Sequence, residues 1–149
     1  MKALIQRCQY AKVTIDKKIH GEISQGLVLF LGVTHDDSQE DINYLIKKVS
    51  QLRIFEDENQ KMNLSLKDID GEILIISQFT LYASTQKGNR PGFSDSAKPE
   101  LAKELYEKFI ENFKELKTKK VATGQFGADM KVELLNDGPV TILIDSKNK

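Results

Sequence analysis

Four consecutive residues, Ser77, Gln78, Phe79 and Thr80, place two hydroxyls and a primary amide directly behind the apolar run at 73–76. Such groups can polarise a carbonyl, hold an attacking water or supply an oxygen nucleophile. The nucleophile reading requires a base beside the hydroxyl, because an unassisted serine or threonine attacks poorly. The two histidines, His20 and His35, read as ordinary surface or sheet-edge residues and declare no triad. There is no G-x-S-x-G elbow, no P-loop and no G-x-G-x-x-G. No cysteine–histidine spacing suits zinc, so neither metal nor cofactor is expected. Any catalysis would rest on oriented amide dipoles and on groups brought by the substrate. The plain alternative for 77–80 is a strand turning toward solvent, its hydroxyls satisfying nearby backbone.

Two further stretches invite a functional reading. In "NDGPVTILID", Gly138 and Pro139 sit against a strand built on Val140, Ile142 and Ile144. Proline gives no N–H to a ladder and belongs at a strand end or edge, so a turn that starts the strand is the plain reading. The segment 84–100 is 17 residues long and rich in Gly, Pro, Ser and Asn. Loops of that length are usually functional or disordered. Within it, Asn89, Arg90, Pro91, Gly92 and Phe93 are candidates for a site entrance, with simple loop structure as the alternative.

The elements that must position these residues follow from periodicity. "KALIQRCQ" and "AKVTID" predict two short strands, "KKIHG" a turn region, and "GLVLFLGV" a buried strand. Asp37 or Ser38 is the expected cap of a helix with Ile42, Leu45, Ile46, Val49 and Leu52 on one face, ending near Arg53. "ENQKMNLSLKDIDG" predicts an irregular excursion with short strand pieces. "GEILIISQFTLYA" is the strongest strand, and its unalternating run predicts a central strand covered on both faces. A second helix is expected to start between Ser96 and Pro99, with Leu101, Leu105, Phe109, Phe113 and Leu116 as its buried stripe. Lys114, Lys117, Lys119 and Lys120 crowd its end, either compensating the helix dipole or facing phosphate. "MKVELLND" and "VTILID" predict two closing strands around the Gly-Pro turn. The pattern is α+β, with mostly antiparallel, barrel-like sheet packed on two main helices.

Composition narrows the function classes. The 149 residues suit one domain, 1–149. Lys+Arg and Asp+Glu are both 22, so a global basic field for nucleic acid is excluded and any RNA contact must be local. A single cysteine, Cys8, allows no intrachain disulfide. No signal-like or membrane-length apolar run occurs, and a soluble cytoplasmic protein is expected.

Beside this reading stands a resemblance. "SQFTLYA" at 77–83, "NRPGF" at 89–93 and "GPVT" at 138–141 resemble the motifs of the D-aminoacyl-tRNA deacylase family, as do "IQRCQYAKVTID" at 5–16 and "GEISQGLVLFLGV" at 21–33. The resemblance spans residues 1 to 145, and the pairing of SQFT with GPVT carries its specificity. Cys8 stands where a valine-like residue is expected, and the charges in "YASTQKGNRPGF" are slightly atypical. The resemblance implies hydrolysis of the ester joining a D-amino acid, or glycine on alanine tRNA, to the tRNA acceptor end. It also implies a homodimer in which a cis Gly138-Pro139 peptide reaches into the partner's pocket and rejects L-residues, with Arg7 pinning the motif. Catalysis would use Ser77, Gln78, Phe79 and Thr80, with backbone N–H groups near Phe79 and Thr80 as the oxyanion site and the tRNA 2′-OH assisting a water. Thr80 as covalent nucleophile is the alternative mechanism. A non-catalytic dimeric RNA-binding module is the alternative function.

Overall fold

The computed structural model describes residues 1–149. In chain order it contains β1 (Lys2–Ile15), β2 (Lys18–Ile23), β3 (Gly26–Gly32), α1 (Gln39–Ser50), β4 (Phe55–Glu56), β5 (Met62–Leu64) and β6 (Glu72–Ser77). A 3-10 turn (Phe79–Tyr82), α2 (Pro99–Lys114), β7 (Lys120–Thr123) and β8 (Lys131–Asp145) follow. The architecture is α+β, as the pattern predicts.

One mixed sheet holds the fold together. β1 is its spine, pairing antiparallel with β2 and β3 along one edge and with β8 along the other. β3, β6 and β7 continue the sheet in parallel. The run Glu72 to Ile76 is buried throughout, as a parallel strand covered on both faces requires. β4 and β5 form a small separate hairpin in the expected irregular excursion. Two apolar clusters flank the sheet. The larger packs Ile5, Leu27, Leu29, Ile73 and Ile75 against α1 and α2. The smaller, on the opposite face, holds Cys8, Val13, Val28, Leu74 and Ile76. The strands thus alternate between two interiors, with Leu27 and Leu29 on one side and Val28 on the other.

Several elements differ from the sequence pattern, each for a physical reason. The two expected N-terminal strands are one, β1, because β8 supplies a partner along nearly its whole length. The turn expected in "KKIHG" falls earlier, at Asp16 and Lys17, which take φ of 49° and 63°. A tight hairpin of this kind needs positive φ at both central residues, and it leaves the next residues free to extend as β2. α1 ends at Ser50 rather than near Arg53. On α2, Ala102, Tyr106 and Ile110 share the buried face with Leu105, Phe109 and Phe113, whereas Leu116 lies past the helix end and is 40% exposed. β7 had no sequence signal, being a four-residue strand made by pairing with β6. No helix is long and apolar enough to cross a membrane.

A buried polar cluster ties the start of the chain to α1 and the residues after β8. The Met1 ammonium pairs with Asp37 and donates to Ser146 Oγ at 2.7 Å. Ser146 Oγ donates to Asp41 Oδ1 at 2.6 Å, and Lys147 Nζ lies 3.2 Å from Asp41 Oδ2. Ser38 caps α1, its N–H donating to Asp41 Oδ2 at 2.9 Å. Burial alone would raise the Asp41 carboxyl. The hydrogen bonds from Ser146, Ser38 and Lys147 and the Lys147 charge outweigh it and hold the group down at about 2. A carboxyl lowered on folding stabilises the protein above its unfolded value of about 4. That contribution is lost as pH falls through about 2. Asp41→Asn should therefore cost on the order of 2 kcal/mol at pH 7. In urea melts across pH, the difference from wild type should shrink toward zero as pH falls through about 2.

Candidate active site

Ser77 ends β6, and the chain then leaves the sheet as the 3-10 turn rather than continuing as strand. The turn begins where apolar residues give way to Gln78, whose N–H donates to Leu31 O at 2.8 Å. Phe79 and Thr80 are its first two residues, so their N–H groups have no acceptor within the turn. Gln78 Nε2 donates to the Thr80 hydroxyl. Thr80 therefore has an amide donor beside its oxygen, not a base.

Ser77, Gln78 and Phe79 line the rim of a cavity of about 520 Å³. Its walls are apolar, built from Leu31 and Val33 on and after β3, Ala102 and Tyr106 on α2, and Phe126. Tyr106 donates to Ile75 O at 2.9 Å, and burial pushes its phenol up, so it stays a neutral wall. Phe93 closes the mouth, meeting Phe79 edge to face with ring centroids 5.0 Å apart. Both rings keep substantial exposure, 56% for Phe79 and 38% for Phe93.

Of the entrance candidates, only Phe93 lines the cavity. Asn89, Arg90, Pro91 and Gly92 are exposed on the loop, and Gly92 bridges back to Ser84. The loop is fastened on both sides of Phe93, before it by the Ser84–Gly92 pair and after it by side chains. Thr34 Oγ1 donates to Asp95 O at 2.6 Å, His35 Nε2 contacts Ser94 O at 2.7 Å, and Ser96 Oγ donates to Phe79 O at 2.9 Å. The sequence reading missed Ser96, Tyr106 and Phe126, because they come from elements far apart in the chain. The one local signal was Ser96, a hydroxyl close before the Pro99 helix start. His35, read as a surface residue, is exposed and serves as a loop fastener.

Arg7, Gly138 and Pro139 are elsewhere. Strand register sets Ser77 in one row with Leu31, Ala3 and Ile144, whereas Arg7 lies opposite Leu27. The four steps of β1 from Ala3 to Arg7 separate these rows by about 13 Å. Within one chain the Gly-Pro motif and the Ser77–Thr80 site do not meet.

The motif itself differs from expectation in two ways. It does not open a strand; it interrupts β8, with Asn136 opposite Cys8 and Thr141 opposite Gln6. The expected cis bond is also not found, since every peptide in the chain is trans. Trans is the intrinsically favoured X-Pro isomer by about 0.5–1 kcal/mol. Here Gly138 makes the bend instead, with φ of 105°. Arg7 lies over it, buried, donating from Nη1 to Ile54 O at 2.5 Å and from Nε to Asp137 O at 3.2 Å.

The family model for D-Tyr-tRNA(Tyr) deacylase matches residues 4–145. The chain belongs to this family. It is 61% identical to the D-aminoacyl-tRNA deacylase of Fusobacterium nucleatum, over 99% of this chain and 97% of that protein. It is 59% identical to the D-aminoacyl-tRNA deacylase of Clostridioides difficile, over 98% and 97%. A solved structure of a c-Myc DNA Unwinding Element Binding Protein matches with TM-score 0.93 at 37% identity, covering 97% of this chain and 98% of the other. A probable eukaryotic D-amino acid tRNA deacylase shares the fold with TM-score 0.84 at 15% identity, over 96% and 97%. As a member of the deacylase family the chain is an ester hydrolase.

The packing over Gly138 yields a stability test. A Cβ added there would lie 2.5 Å from Arg7 Nη2 and would force a side chain into positive φ. Gly138→Ala should cost about 1–3 kcal/mol in equilibrium urea unfolding, and the Arg7→Ala, Gly138→Ala double variant should lose less than the sum of the two single losses, because the added methyl meets the Arg7 side chain.

Proposed function

We propose that this chain cleaves the ester linking a D-amino acid, or glycine, to the 3′-terminal adenosine of tRNA, acting as a homodimer with Gly138-Pro139 of one subunit set against the Ser77–Thr80 site of the other. The observation that carries the proposal is the opening of the Phe79–Tyr82 turn at the rim of the apolar cavity. Two unpaired N–H groups at the start of a turn are the donors an ester oxyanion needs as its charge develops. The exposed rings of Phe79 and Phe93 suit stacking against an unpaired terminal base. Zero net charge fits a protein that grips the end of a tRNA rather than its length.

In this mechanism a water attacks the ester carbonyl, and the Phe79 and Thr80 N–H groups receive the oxyanion. Gln78 orients the Thr80 hydroxyl. The tRNA 2′-OH lies beside the scissile bond and positions the water. Thr80 as covalent nucleophile is disfavoured, since its neighbour is a donor and a nucleophilic hydroxyl must lose its proton to a base.

Selectivity would act by exclusion. A rigid backbone projection against the α-carbon leaves space for hydrogen and none for a side chain. D-residues and glycine then fit, whereas L-residues clash. The separation of Gly138 from its own chain's site supports a second copy as the supplier of that projection. So does the outer edge of β8, which has no strand partner in the chain, with Leu135 46% and Leu143 56% exposed beside it. Of Lys114, Lys117, Lys119 and Lys120, Lys119 lies 3.8 Å from Glu72 Oε1 and Lys120 pairs opposite Glu72, at the other end of β6 from Ser77.

Single-turnover hydrolysis of D-tyrosyl-tRNA should exceed that of L-tyrosyl-tRNA by at least about a hundredfold. Equal rates would refute selection by exclusion, and no turnover of either would leave only a binding module. Thr80→Ala should retain activity within about tenfold of wild type, whereas loss of a true nucleophile removes several orders of magnitude. An acyl-enzyme trapped on Thr80 would overturn the water mechanism. Sedimentation should show a dimer, and a fully active monomer would refute the shared site.

A further inference from the structure

The interruption of β8 is larger than a simple bulge. An ordinary bulge sets two residues against one on the partner strand. Here residues 137–140 stand against Arg7 alone. An excursion of that size gives up ladder hydrogen bonds, and only the flanking pairs Cys8–Asn136 and Gln6–Thr141 bound its neck on the backbone side. The projecting tip can be rigid only if its base is held.

We infer that Asn136 is the positioning residue that closes this neck and so sets how sharply the Gly138-Pro139 projection discriminates. Its Nδ2 donates to Arg7 O at 2.9 Å on β1 and to Val140 O at 3.2 Å on the far limb of its own excursion. Its Oδ1 accepts from Gln6 Nε2 at 3.3 Å and from Thr141 Oγ1 at 3.4 Å. One side chain thus spans both strands and both ends of the excursion. Arg7 works on a different part, holding the leading limb through Asp137 O and ion-pairing with Asp137 Oδ2 at 3.2 Å.

The amide is chemically suited to this place. Two carbonyls need two N–H donors from one atom, which a primary amide provides and a carboxylate does not. Aspartate at 136 has the same shape but would aim its negative oxygens at the carbonyls of Arg7 and Val140. Glutamine, one methylene longer, would push the neck apart. The inference rests on the reading of Gly138-Pro139 as the chirality-selecting projection. Asn136 itself acts through the shape of that projection and need not touch substrate.

The test compares wild type, Asn136→Asp, Asn136→Ala, Gln6→Ala and Gly138→Ala in single-turnover hydrolysis of D- and L-tyrosyl-tRNA, with a melting curve for each. Both Asn136 variants should lower the D/L rate ratio by about tenfold, the scale of one net hydrogen bond. Gln6→Ala removes one donor to Asn136 Oδ1 and should move the ratio the same way by about threefold. Because Gln6 lies on the partly exposed edge of the neck, it carries the test should the Asn136 variants not fold. An unmoved ratio in the Asn136 variants, or in Gln6→Ala where those do not fold, beside a lowered ratio in Gly138→Ala, overturns the role of Asn136 and leaves the reading of the motif standing. Equal loss of both rates in the Asn136 variants shows a merely structural residue and also overturns it. An unmoved ratio in Gly138→Ala as well refutes the reading of the motif, and this inference with it.

Discussion

The ladder between β1 and β8 is the constraint on which the rest of the molecule depends. It runs from Lys2 opposite Asp145 to Thr14 opposite Lys131, joining the two ends of the chain. Side chains alternate along a strand, so any irregularity in this ladder changes which face every later residue meets. Val132 and Leu134 pack on the smaller cluster, whereas Val140, Ile142 and Ile144 pack on the larger. Unbroken pairing would have put all five on one side. The excursion around Gly138-Pro139 lets one long strand serve two interiors, and the same excursion projects a backbone corner from the sheet. On the proposed function, packing and recognition have a common origin in this irregularity.

The site at the other end of the sheet obeys a different economy. β6 is buried on both faces and ends abruptly at Ser77. A buried strand that stops leaves polar backbone to be satisfied, and a tight turn satisfies most of it while exposing its first N–H groups. The apolar cavity beside that turn is a consequence of packing α2 on the larger cluster. Fastening of the 94–97 segment by Thr34, His35 and Ser96 then keeps Phe93 over the mouth. Low polarity around a few fixed donors strengthens their effect on a developing negative charge.

Rigidity also links the two regions. Arg7 is buried against the carbonyls of Ile54 and Asp137, so the corner at Gly138 is tied to the segment that follows α1. Removing that guanidinium would leave two carbonyls short of a donor, a cost of about 1–3 kcal/mol each. In the role proposed for this corner, rejection of one enantiomer requires that it resist displacement by the extra side chain, which it does only as far as its supports are stiff. The chain places those supports on strands rather than on a mobile loop.

How much of this was legible in the sequence differs from part to part. The α+β class, the buried character of 73–76, a cap at Asp37 or Ser38 and the start of α2 followed from residue type and spacing, because those signals are local. The motifs SQFT and GPVT were also visible as strings, and with them the family. The joining of two short strands into β1, the existence of β7 and the burial of Tyr106 were not visible, since each depends on a partner distant in sequence. The same holds for the cavity, whose lining comes from β3, β6, α2 and the residues after β7. Gly138-Pro139 shows the division most clearly. Its composition announced an unusual backbone. Only the register of β8 on β1 decided that it is an excursion in mid-strand, because a strand's partner, and not its own residues, determines where extra residues must go.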